Sequence, residues 1–230
     1  MPQQSSAGGP KGWYANLLKY RFSFLFTALL AYLILVPFVE SNYGFVVPVL
    51  FFLMLCSVLD TLDLRPRVFW MALGIGAVAF ALHLVGLLYF YESASSSGFE
   101  LVVASLYFVF LALCILILTY KIFTEKTVTG DTVKGGIAVY LLAGLAGALL
   151  YDVLLIVQPD GLSGISPTEH LSSLIYFSFV TMTTLGFGDM TPQTPLLRTV
   201  VYLQAALGQI YIAVLVARLV GLLGTSNEID

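Results

Sequence analysis

The sequence predicts an all-α integral membrane protein: six crossing helices, with a short helix between the fifth and sixth that dips in and returns. Three observations lead there. Charged residues make up 10% of the chain and hydrophobic ones 59%, whereas an ordinary soluble domain carries about 25% charge. Mean hydropathy is +0.96. The apolar residues fall into runs close to the ~20 needed to cross a bilayer, and the basic residues collect on one side of them. With a net charge of −3 there is no basic surface, so lipid rather than nucleic acid is the expected partner.

The elements follow in order. Residues 1–18, with Gln, Ser, Gly, Pro and Lys, read as a flexible tail, and no cleavable signal is expected there. Five runs are long enough to cross: Phe22–Val39, Val68–Tyr91, Leu101–Tyr120, Gly136–Val157 and Leu196–Leu223. A sixth, Tyr43–Leu59, is short, with Pro48 near its start, where a missing N–H costs little. Placing the N-terminus in the cytoplasm and accepting six crossings puts every basic residue except Arg198 inside. The acidic loop Glu92–Glu100 then falls outside, which is the positive-inside bias. Trp13 and Tyr14 suit the cytoplasmic headgroup region. Both termini are thus expected in the cytoplasm, in a multi-pass protein of the cell membrane.

The domain plan is a four-helix unit (19–120), a polar connector (121–136), a second unit (137–224) and a short tail (225–230). Cys56 and Cys114 lie inside apolar runs and read as small hydrophobes rather than a disulfide.

Leu171–Met182 is too short to cross, and after it stands TMTTLGFGD, residues 181–189. Non-helical backbone at membrane depth is tolerated only when buried in protein or lining water. Gly186 and Gly188 alternate with Leu185 and Phe187. Such alternation lets successive carbonyls point one way, because glycine takes positive φ cheaply. Four such strands around an axis could replace the water shell of a bare cation. A short helix over roughly residues 168–183 would aim the negative end of its dipole at that axis.

At these residues the chain resembles the tetrameric potassium channels, whose signature is Thr-x-Gly-Tyr/Phe-Gly-Asp after a short pore helix. Here it reads Thr184-Leu185-Gly186-Phe187-Gly188-Asp189, preceded by Thr181 and Thr183. The resemblance covers roughly 136–224. It implies K⁺ sites made by carbonyls of Thr184, Leu185, Gly186 and Phe187 with the Thr184 hydroxyl, Gly188 completing the filter. It also implies a homotetramer, since one chain holds one copy, and no cofactor besides the permeant K⁺. Phe187, in place of the commoner Tyr, lacks a hydroxyl behind the filter. At the place where some filters of the family carry a pore-helix carboxylate stands Val180. Thr183, Tyr176 and Asp189 are the expected supports, with a Tyr176–Asp189 hydrogen bond set against an Asp189 that merely faces water. Gly208 is either a hinge of the last helix or a close-packing position. Gln209, Ile212 and Val216 would face the cavity and inner gate.

Asp152, the acid inside a span, either bonds a group of the pore helix or connector, or reaches the outer interface. His83 reads as an interhelical donor or a proton sensor. His170 is a candidate for outer pH sensitivity. The four-helix unit looks like a voltage sensor, but Leu101–Tyr120 holds no Arg or Lys, so little or no voltage dependence is expected. Seven residues follow Leu223, so a fused regulatory domain is not expected, while a separate regulatory subunit stays open. Two other readings compete: a non-selective cation channel, and an intramembrane serine protease using Ser163 of GLSG (161–164).

Overall fold

The computed structural model describes residues 21–40, 45–62, 64–89, 97–125, 129–166 and 170–226. The tail 1–18, with Trp13 and Tyr14, lies outside them, as do Lys19, Lys126, Thr168 and most of the acidic loop. Helices dominate: α1 Arg21–Val39, α2 Val46–Leu62, α3 Pro66–Tyr89, α4 Ser97–Thr124, α5 Gly130–Val157, α6 His170–Met182 and α7 Pro195–Ser226. A two-stranded antiparallel pairing joins β1, Leu162–Ser163, to β2, Thr191–Pro192. The sequence reading missed it, because two-residue strands carry no periodicity.

Among the described residues, α1, α3, α4, α5 and α7 are long and apolar enough to cross a membrane. This is a multi-pass membrane protein. At 17 residues α2 falls just short by that measure. Its ends nevertheless lie level with those of its neighbours. At one end of the bundle Val47 and Pro48 line a cavity with Gly86, Glu100 and Asp152. At the other, the Thr61 carbonyl accepts from Lys121 Nζ at 3.0 Å. Phe22, Lys121 and the start of α5 meet at that second end, where the Lys121 ammonium lies 5.7 Å from the Phe22 ring.

The connector is shorter than expected. α4 continues to Thr124 and α5 begins at Gly130. Thr129 caps α5 by accepting from the Thr132 N–H, and the Thr132 hydroxyl accepts in turn from the Thr129 N–H. Gly135 and Gly136 look like linker glycines in sequence, yet they sit inside α5 against Phe22 and Leu215, at distances that leave no room for a methyl. At the other boundary α7 runs on to Ser226, into the stretch read as tail.

Carboxylates tie α1 to the second unit at both of its ends. Asp131 in the first turn of α5 accepts from the N–H of Ser23 at 3.0 Å, from its hydroxyl at 2.7 Å, and from the Phe22 N–H at 3.3 Å. The first N–H groups of a helix lack intrahelical partners, and Asp131 supplies them to α1. Glu40, just after α1, does the same for α6.

Asp131→Ala should lower stability in detergent by about 1–2 kcal/mol, the usual cost of a lost N-cap acceptor. Asp131→Asn, which keeps an acceptor, should recover part of it. Denaturant midpoints of the two variants check this.

Candidate functional site

The segment after α6 begins where that helix runs out of partners. The N–H of Thr183 donates to the Phe179 carbonyl, that of Thr184 to Thr181, and that of Leu185 to Val180, each at 2.9 Å. Gly186 N–H reaches Val180 at 3.4 Å. These donors close off the C-terminus of α6. Beyond them φ is positive at Thr184 (60°), Gly186 (57°) and Gly188 (83°), and at neither Leu185 nor Phe187. A left-handed residue at every second position turns successive peptide planes the same way. Among the described residues, no hydrogen bond ends on the carbonyl of Thr184, Leu185, Gly186 or Phe187. Residues 183–189 are exposed, between buried Met182 and Met190. The Thr184 hydroxyl donates to the Thr183 carbonyl at 2.6 Å, which leaves its oxygen lone pairs free. Thr183 donates its own hydroxyl to the Phe179 carbonyl at 2.7 Å.

The outer end of the segment is braced. Tyr176 donates its hydroxyl to Asp189 Oδ2 at 2.7 Å, and its ring lies parallel to that of Phe187 with centroids 6.5 Å apart. The Asp189 bond and charge raise the Tyr176 pKa above its ordinary value of 10.0. Ser163 and Thr191 hydroxyls meet at 2.8 Å across the β1–β2 pairing, and Gln193 Nε2 donates to Ser163 Oγ at 3.1 Å. The serine that a protease reading would need as nucleophile is thus bonded to Thr191 and Gln193, not to a histidine. Gly164, at φ 85°, leaves 2.4 Å between a would-be Cβ and the Asp189 carbonyl, so only glycine fits there. Arg198, read as a plain interfacial charge, donates Nε to the Pro192 carbonyl at 3.1 Å.

Behind the segment lies a network that sequence reasoning missed. Fully buried Tyr151 on α5 donates its hydroxyl to Gln204 Oε1 on α7 at 2.5 Å. Gln204 Nε2 donates to Ser178 Oγ on α6 at 2.7 Å, and Ser178 donates on to the Gly144 carbonyl of α5 at 2.6 Å. The chain joins three helices through groups that are all satisfied, the arrangement in which buried polar networks confer rigidity. Val180, the position at which the resemblance implies a carboxylate in some members, takes no part in it. Gly147 makes room for it, since a Cβ there would lie 2.1 Å from Gln204 Nε2. The one available sequence signal was Gln204, which with Gln209 is one of two amides in an apolar helix.

Gly208 is buried, and a Cβ on it would lie 2.7 Å from the Met182 carbonyl. Gly208 thus packs closely on the last residue of α6, within an α7 that continues through it. Gln209 is tied to the same place, donating Nε2 to the Met182 carbonyl at 3.2 Å. Ile212 and Val216 are exposed on α7. Asp152 bonds His170, the first residue of α6, at 2.9 Å. His83 makes a ring contact with Tyr107 at 5.9 Å.

Residues 137–224 match the model of a family described as ion channel. That match covers less than half of the chain. No curated protein and no solved structure matches it. The fold is that of a multi-pass membrane protein, and its residues 137–224 are similar to an ion-channel family.

Tyr151→Phe and Gln204→Leu should each destabilise the protein. Their effects should be non-additive by about 1–2 kcal/mol, as for residues sharing one network. A double-mutant cycle on denaturant midpoints reads that coupling.

Proposed function

We propose that the chain is one subunit of a homotetrameric potassium channel that passes K⁺ down its gradient through a backbone-carbonyl filter, without catalysis. The observation that carries this reading is the run of four exposed, unbonded carbonyls from Thr184 to Phe187, on a backbone whose handedness alternates through residue 188. Main-chain oxygens without a partner need water or an ion. A ring of them, contributed by four subunits, can substitute for the hydration shell of K⁺. The C-terminus of α6 adds partial negative charge on the same side. In this reading Gly188 completes the filter, and Thr183, Tyr176 and Asp189 hold it. Ile212 and Val216 line the inner path, which Gly208 and Gln209 fasten to the filter's base.

Assembly is supported by α7, which leaves Tyr202, Leu203, Leu207, Ile210, Val214 and Val220 exposed. In a tetramer these apolar side chains meet neighbouring subunits or lipid. Six crossings are supported by the matched helix ends. Cytoplasmic termini are supported by Arg21, Arg65, Arg67, Lys121, Lys134 and Arg218, which fall at the end of the bundle opposite Glu40, Glu100, Asp152 and Asp189. Lys121, the basic residue of α4, is fastened to Thr61, so the helix offers no gating charge and current should vary little with voltage.

In liposomes with K⁺ inside and Na⁺ outside, the purified protein should set a potential near that for K⁺ and migrate as a tetramer. Gly186→Ala forces a Cβ onto a residue at φ 57° and should reduce K⁺ flux by about tenfold or more. Equal passage of Na⁺ and K⁺ would favour the non-selective cation channel instead.

A further inference from the structure

The first turn of α6 is held from two sides by carboxylates that belong to different units. Glu40, at the end of α1, accepts from the N–H of Leu171 at 2.7 Å and of Ser172 at 2.8 Å, and its Oε2 also takes the Ser172 hydroxyl. Asp152, on α5, takes His170 Nε2 at 2.9 Å. Glu40, Asp152, His170 and Leu171 border one cavity of about 850 Å³ between the first four helices and the second unit. The other titratable groups facing it are Glu100 and Tyr107 of α4, His83 of α3 and Tyr32 of α1. Glu169, next to His170 in sequence, lies outside the described residues. No Lys or Arg lines the cavity among the described residues.

The charge arithmetic then turns on His170. With a neutral imidazole, three carboxylates face one partly enclosed space, and the N-terminus of α6 is the main positive group opposite them. With an imidazolium, a cation sits between Asp152 and Glu40 and offsets their repulsion. It also turns the Asp152 contact into an ion pair, in which Nε2 carries a proton to donate whichever tautomer the neutral ring held. The site can exchange protons, because 46% of the His170 side chain and 28% of the Asp152 side chain are exposed.

We propose that this joint is a proton-operated clasp: protonation of His170 from the outer solution fastens the start of α6 to α1 and α5, favouring the conducting arrangement of residues 184–188. The claim rests on the potassium-channel reading and deepens it, since α6 carries the filter on its far end. It makes Glu40, Asp152 and His170 positioning residues, acting through α6 on carbonyls they do not touch.

The direction of the pH effect follows from the titration. The Asp152 hydrogen bond raises the His170 pKa above 6.5, partial burial opposes this, and the charges of Asp152, Glu40 and Glu100 add to the rise. A group whose folded pKa is raised contributes fully below its unfolded value and loses that contribution as pH climbs through the folded one. The clasp is therefore complete below about pH 6.5 and loosens above it.

Currents through single orientations of the protein in planar bilayers, with the outer chamber stepped from about pH 6 to about pH 9, test this. Wild-type K⁺ current should fall about fivefold over the step, the scale of one partly exposed charge-assisted bond. His170→Gln and Asp152→Asn should each flatten the profile, and His83→Gln should leave it intact. Glu40→Gln should bring the current at about pH 6 down to the wild-type level at about pH 9. A flat wild-type profile, a slope surviving in His170→Gln, or full current in Glu40→Gln would overturn the clasp. Complete absence of current at every pH overturns the channel reading instead. The clasp is then tested separately by NMR titration of labelled imidazoles, assigned with His83→Gln. A His170 pKa above 6.5 that drops in Asp152→Asn supports the pair, and an unchanged pKa removes it.

Discussion

Every helix leaves N–H groups at one end and carbonyls at the other without intrahelical partners, and the structure is organised around how those groups find partners. At the start of α1 the partner is Asp131, and at the start of α6 it is Glu40. At the C-terminus of α6 the carbonyls of Phe179, Val180 and Thr181 take N–H groups from the segment that follows. The carbonyls of that segment are the ones left over. A single constraint, that buried backbone polarity must be answered, thus accounts for the closed helix ends and sets them apart from the exposed run between residues 184 and 187.

The two carboxylates also decide how the halves of the molecule relate. α1 is fastened to α5 at one end of the bundle and to α6 at the other. A disturbance of the first four helices has a direct polar route to the helix that carries the candidate filter, without passing through the connector. This arrangement differs from one in which a sensor unit is joined to a pore only by a linker. It goes with an α4 whose basic residue is Lys121, in its last turn.

Behind α6 the support is neutral. Tyr151, Gln204 and Ser178 form a chain in which each donor has an acceptor. A carboxylate at Val180 would bring a charge that burial penalises unless it is paired, whereas amide and hydroxyl groups need only mutual geometry. The network is accordingly sensitive to spacing, and Gly144 and Gly147 keep α5 close enough for it. Gly144 accommodates the Phe179 ring, with a would-be Cβ 2.5 Å from it.

Much of this was legible in the residues alone. Composition and run length announced the membrane helices, because lipid tolerates few charges. The alternation of Gly186 and Gly188 with larger residues announced a special backbone, because positive φ is cheap only for glycine. The left-handed Thr184 was not legible, since its conformation comes from the hydrogen bonds that tie it to α6. Gly135 and Gly136 read as linker and proved to be packing surface, because what distinguishes the two is the presence of Phe22 and Leu215, far away in sequence. Glu40, Asp131 and Gln204 each sit in sequence as an ordinary polar residue at or within an apolar run. Local pattern therefore determined which segments enter the membrane and where the backbone breaks. Only the tertiary structure decided which side chains answer the broken ends, because such partners lie up to 132 residues apart in the chain and meet only when the helices pack.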